Sequence, residues 1–133
     1  MLMKWEPGGM KSEIARARGL GSARDGVKHW LHQRVTAIAN LFLMIWLALA
    51  IAALIQRGVD YHATISWLRS GINPVLMILA IVSVFYHTKL GLQIVIEDYV
   101  HHEGRKLALM IAVKLVIAAC AVTCLFSVLK ITL

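Results

Sequence analysis

Three long apolar runs break an otherwise polar and basic chain. They are Val35 to Ile55 (VTAIANLFLMIWLALAIAALI), Pro74 to Ile96 (PVLMILAIVSVFYHTKLGLQIVI) and Leu107 to Leu129 (LALMIAVKLVIAACAVTCLFSVL). Each is near the ~20 residues that carry a helix across a hydrocarbon core of ~30 Å. Lipid offers no partner for a free peptide group, so a spanning segment satisfies its own backbone as a helix. The runs also lack the apolar–polar alternation of a membrane barrel strand. Pro74 stands at the start of the second run, where its missing N–H costs little. Gly58 after the first run and Gly104 before the third are expected to stop helices. Between the first two runs, Tyr61 to Arg69 reads as a short helix lying on the membrane surface. Trp30 on one side, and Tyr61 and Trp67 on the other, suit the aromatic belts of the two interfaces. The pattern predicts an all-α, integral membrane three-transmembrane-helix bundle. Residues 1–33 form a basic N-terminal segment, and residues 34–133 form the membrane domain with spans at about 35–55, 74–96 and 107–129.

Composition strengthens that reading. Hydrophobic residues make up 59% of 133, more than a soluble chain of this size can hide in its interior. The chain carries 14 basic and 7 acidic residues. In a membrane protein such an imbalance reports orientation rather than nucleic-acid binding. Lys4, Lys11, Arg16, Arg18, Arg24, Lys28 and Arg34 precede the first span, and Arg105 and Lys106 lie in the turn before the third. Only Arg57, Arg69 and Lys130 fall on the other side. The N-terminus and the 97–106 turn are therefore expected in the cytoplasm. The first 33 residues have no apolar segment and include Glu6, Glu13 and Asp25, which excludes a cleaved signal peptide and disfavours a mitochondrial presequence. Cys120 and Cys124 sit inside the third run and fit no zinc or redox spacing; they read as small apolar fillers.

Ionisable groups inside spanning helices are costly and point to function. The second span holds His87 and Lys89, with Glu97, Asp98 and Tyr99 at its end; the third holds Lys114. The first has Arg34 at its mouth and Asn40 deeper. Eleven steps of ~100° bring Asp98 to within ~20° of the face of His87, and ~1.5 Å per residue puts the two ~16 Å apart along the axis. Gly91 shares that face, while Lys89 lies ~200° from His87. A histidine at mid-membrane is either hydrogen-bonded between helices or an axial ligand of haem iron. His29, His32, His62, His101 and His102 all lie near or beyond the interfaces, so a second axial ligand would come from another chain. Asp98 and Tyr99 are either ordinary interface residues or a quinone site, with the phenol donating to a quinone carbonyl and the carboxylate taking part in proton exchange. Lys89 and Lys114 either snorkel toward the interface or pair within a larger complex.

The run HTKLGLQIVIEDYVHHEG, residues 87–104, resembles the second helix of the hydrophobic membrane-anchor subunits of succinate dehydrogenase, respiratory complex II. The family pattern there is a His followed eleven residues later by Asp-Tyr-Val, met here by His87, Asp98, Tyr99 and Val100. The stretch HWLHQRVTAIAN, residues 29–40, is similar to the family's entry into its first helix. The likeness covers roughly residues 21 to 130 and includes the three-helix layout. It implies that His87 is one axial ligand of haem b, with the other on a cytochrome b-type anchor subunit. Tyr99 would hydrogen-bond ubiquinone with Asp98 beside it. Arg34 would lie near the quinone and the haem propionates, where a guanidinium suits carboxylates. His29 stands near the position of a propionate-binding histidine in some members. The implied partners are that cytochrome subunit, an iron–sulfur subunit, a flavoprotein subunit and the lipid membrane.

These expectations describe a non-catalytic subunit of a quinone-reducing oxidoreductase in a bacterial inner membrane, or alternatively a mitochondrial one. Succinate oxidation by this chain alone is excluded, because it has neither a dinucleotide-binding glycine motif nor a cysteine set for a cluster. A fumarate reductase-type anchor is the alternative within the class. A small transporter or structural membrane adaptor is the alternative outside it. Against a proton or ion path, the acids Glu97 and Asp98 sit at one end instead of being spaced across the bilayer.

Overall fold

A computed structural model describes residues 26–58 and 60–133. The expected basic segment 1–33 lies largely outside the described residues. Among those described there are four helices and no strand: α1 (Gly26–Gln56), α2 (Tyr61–Arg69), α3 (Asn73–Tyr99) and α4 (Glu103–Thr132). α1, α3 and α4 are each long and apolar enough to cross a membrane. The chain divides into two compact units after His32. Of the first, only the opening turns of α1 are described, and the packing below concerns Gln33 to Leu133.

α1 starts well before the apolar run that predicted it, at Gly26 instead of Val35. The polar stretch Lys28 to Arg34 contains no helix breaker, so the helix extends through it beyond the apolar span. Gly58 ends the segment as expected: its φ of 79° is a left-handed conformation that suits glycine. Gly104 does not stop a helix. It lies in the first turn of α4, and the break before it falls at Val100 to His102, where the backbone is extended at both caps. Pro74 occupies the first turn of α3, where the N–H it lacks has no intrahelical acceptor in any case.

α2 is the expected short helix. Trp67 stacks on Trp46 of α1 with centroids 5.9 Å apart and planes at 25°. The Arg69 Nε donates to the Ile131 carbonyl at the far end of α4. Asn73 Nδ2 and Ser70 Oγ both donate to the Trp67 carbonyl, closing the turn into α3. Together these contacts tie α2 to all three long helices.

α3 contacts α4 and the short helix α2. Leu90, Ile96 and Ala80 are its buried residues, and α3 packs chiefly on α4. Few side chains are fully enclosed: Leu68, Ala80, Leu90, Ile96 and Val128 complete the buried apolar set among the described residues. Large apolar side chains such as Phe42, Leu49, Leu115 and Phe126 instead stand two-thirds exposed on the outside. Three helices of this length present mostly outward surface, and only lipid or another membrane chain can cover it.

Candidate functional site

The half-buried positions of α1 from Gln33 onward recur at 33, 36, 39 and 40, 43, 46 and 47, 50 and 54. This alternation of three and four is the seam of a helix facing a partner. The seam changes character along its length. Gln33, Thr36 and Asn40 make its first half polar; Leu43, Leu47, Ala50 and Leu54 make the rest apolar. The polar half meets the one face of α3 that carries His87 and Gly91.

Thr36 Oγ1 lies 2.9 Å from His87 Nδ1. The same hydroxyl donates to the Gln33 carbonyl at 3.2 Å, one turn back on its own helix. A hydroxyl has one proton to give. It can go to the carbonyl or to the ring, so Thr36 engages Nδ1 as acceptor or donor according to the histidine tautomer, and Nε2 is the nitrogen it leaves. No described residue makes a hydrogen bond to Nε2. Both readings of a mid-membrane histidine therefore have a nitrogen: Nδ1 bonds between helices and Nε2 is left for a ligand. His87 stands one residue past Tyr86, the midpoint of the 27-residue α3.

Three more polar atoms, on the neighbouring turns of the same two helices, have no partners among the described residues. Gln33 Oε1, Asn40 Oδ1 and Ser83 Oγ are shielded from solvent and accept or donate nothing. Ser83 is one turn of α3 before His87. An isolated polar atom left unsatisfied in a dry interior costs about 1–3 kcal/mol, so three on these neighbouring turns are a concentration that calls for something to bind. Gly91, one turn beyond His87, adds space. A Cβ there would meet only Gln33 Nε2, at an ordinary 3.7 Å. Nothing inside the chain requires the glycine.

Asp98 and Tyr99 close α3, ~16 Å along the axis from His87. Both are exposed, Tyr99 by 78%. Neither has a hydrogen bond or ion pair within the described residues. Their neighbour Glu97 is engaged: Gln93 Nε2 donates to its Oε1 at 2.8 Å, and Lys106 Nζ donates to its carbonyl at 3.1 Å. That second bond ties the start of α4 to the end of α3. Arg34 is exposed and sits ~200° around α1 from Thr36, off the polar seam. His29 is half-buried, and its Nε2 has no partner among the described residues. The chain thus brings His87 together with Gln33, Thr36 and Gly91, with Arg34 on a different side of α1 from Thr36 and Asp98–Tyr99 at the far end of α3.

Gln33, Thr36 and Ser83 escaped the sequence reading because such residues are unremarkable in a membrane helix. The available signal was their spacing: 33, 36 and 40 fall on one helical stripe with Asn40, and 83 and 87 fall on another.

Lys89 lies on the opposite side of α3. Its ammonium sits over the Tyr86 ring, 5.6 Å from the centroid. An ammonium at the bilayer centre costs about 2.5–3.5 kcal/mol by insertion scales, and a desolvated cation–π contact returns about 2 kcal/mol.

The succinate dehydrogenase/fumarate reductase transmembrane subunit family matches residues 9–122. The chain is 38% identical over 105 residues to a succinate dehydrogenase hydrophobic membrane anchor subunit of Rickettsia bellii, covering 79% of this chain and 82% of that one. It is 36% identical over 106 residues to the equivalent subunit of Rickettsia conorii, with the same coverage. No solved structure matches it significantly.

Proposed function

The chain belongs to the succinate dehydrogenase/fumarate reductase transmembrane subunit family, and on that premise we propose that it anchors a succinate:ubiquinone oxidoreductase in a bacterial inner membrane and contributes half of a haem b site and half of a quinone site. The observation that carries the haem reading is the Thr36–His87 hydrogen bond, which engages Nδ1 and leaves Nε2 without a partner among the described residues. An axial histidine offers one nitrogen to iron and donates the other N–H to a fixed acceptor, which holds the ring plane and raises its basicity. Thr36 Oγ1, 2.9 Å from Nδ1, is placed to be that acceptor. The unpartnered atoms of Gln33, Asn40 and Ser83 and the bare backbone at Gly91 fit a bulky flat group with polar edges. The haem, when bound, supplies a one-electron carrier at mid-membrane depth. His87 would hold it from one side, a second histidine from the cytochrome b-type subunit would hold it from the other, and Arg34 and His29 would serve its propionates.

Tyr99 and Asp98 would serve ubiquinone at the end of α3. The phenol donates to a quinone carbonyl, and the carboxylate exchanges a proton with the reduced ring through water. Both groups are exposed and uncommitted within the chain, as groups facing a site completed by another subunit must be. With the basic N-terminal segment in the cytoplasm, this end of the bundle would meet the iron–sulfur subunit, which delivers electrons from succinate oxidised in the flavoprotein.

A reduced-minus-oxidised absorption spectrum of the complex tests the central assignment. The wild type should give a low-spin haem b signal, and His87→Ala should abolish or displace it. An unchanged low-spin spectrum in the variant would sink the ligand role.

A further inference from the structure

The face of α3 opposite His87 holds a second feature that the haem and quinone readings leave unused. Lys89 of α3 and Lys114 of α4 line both of the adjoining hollows along the α3–α4 seam. One is an open groove of about 300 Å³ floored by Val82, Phe85, Ile117 and Ala118, and the other is a small cleft of about 10 Å³ on the Asp98 side. Two positive charges therefore share one apolar groove inside the spanning region. No described acid lies against either of them: Glu97, Asp98 and Glu103 are at the helix ends, and α1 contains no acid at all.

Depth narrows the choice of counter-charge. The Lys89 ammonium lies over Tyr86, the midpoint of α3 and ~20 Å from either helix end. A phospholipid phosphate rides outside the hydrocarbon layer, ~15 Å from the midplane, beyond the reach of a group held over that ring. A second copy of this chain would oppose lysine with lysine. A carboxylate carried on another membrane helix meets both requirements, since it can stand at mid-membrane depth and the open groove has room for its stem.

We propose that the Lys89–Lys114 groove is a docking face for a transmembrane helix of another subunit, one that carries an Asp or Glu near the middle of the membrane. The groove receives the carboxylate between the two ammoniums, and the exposed apolar rim around Val82 and Ala118 packs the rest of the helix. This face is separate from the one that carries His87, so α3 serves two neighbours at once. The inference rests on the chain being one subunit of a membrane complex. It stands or falls independently of the haem assignment, which the His87 spectrum reads separately.

The assembled complex in its own membranes provides the test. Dicyclohexylcarbodiimide enters lipid, activates buried carboxylates, and leaves an amide wherever a lysine amine is in contact. Digestion and mass spectrometry of treated wild-type membranes should find Lys89 or Lys114 joined to an acid from within a spanning segment of another subunit. The Lys89→Gln/Lys114→Gln chain should give no such adduct and several-fold less detergent-stable complex, and Lys89→Arg/Lys114→Arg should restore the yield. Absence of the adduct from the wild-type complex overturns the proposal. So does an adduct confined to acids outside the membrane or to a second copy of this chain. An anionic phospholipid that co-purifies with the wild type and is lost with the glutamines also overturns it.

Discussion

Thr36 Oγ1 and His87 Nδ1 share a hydrogen bond of 2.9 Å across the α1–α3 seam. The bond contributes little stability. Hydrogen bonds between membrane helices average about 0.6 kcal/mol, because the unfolded chain in lipid also finds partners. Its consequence is chemical. The bond engages Nδ1, and so fixes how the ring is turned and which nitrogen is left over.

Thr36→Val removes the hydroxyl while keeping the shape of the side chain. Outer-shell partners of this kind typically change metal affinity by about 10–100-fold. The variant complex should therefore lose haem during purification more readily and show a shifted midpoint potential. Thr36→Ser keeps the hydroxyl and should restore both. Haem content and potential measured on the two variants decide the matter: if Val and Ser behave alike, the hydroxyl does not position His87.

Gly91 separates a packing role from a ligand-space role. Because a Cβ there meets only Gln33 Nε2 at 3.7 Å, the chain itself should tolerate Gly91→Ala and insert normally. A larger side chain fills the space beside His87. Gly91→Leu is expected to leave the subunit in the membrane and lower the haem recovered per complex. Immunodetection of the chain alongside pyridine haemochrome quantitation checks both halves. If the chain itself disappears from the membrane, the glycine serves helix packing and not a ligand.

How much of this was legible in the sequence depends on which physical signal each feature leaves. The spans announce themselves, because every turn of a lipid-facing helix is apolar. The start of α1 does not, since nothing apolar marks Gly26 to Arg34 and a helix extending past the bilayer obeys no hydropathy rule. His87 was visible as a costly group in lipid. Its partner was not, because Thr36 satisfies its own hydroxyl on the preceding turn and carries no hydropathy penalty. The ~200° between His87 and Lys89 followed from helical arithmetic and matches the two faces seen on α3. The direction of the Lys89 side chain could not follow from it: lying over Tyr86 or snorkelling outward are rotamers of the same residue, and packing decides between them.

Tyr99 and Asp98 offer a clean separation of chemistry from structure, because neither is held within the described chain and Tyr99 is 78% exposed. Removing the phenol hydroxyl should cost the subunit nothing in folding. Tyr99→Phe deletes one donor to a quinone carbonyl. A hydrogen bond of about 0.5–1.5 kcal/mol corresponds to roughly a two- to tenfold loss in quinone reduction. Succinate oxidation with an artificial acceptor bypasses this chain and should be unchanged. Asp98→Asn keeps the shape and removes the exchangeable proton, so it should lower kcat for quinone more than it raises KM. Steady-state kinetics with both acceptors on the same membranes distinguishes the outcomes. Parallel loss of both activities would mean that this corner holds the soluble subunits in place and does not handle quinone. Loss confined to the quinone assay would assign the two residues to the acceptor.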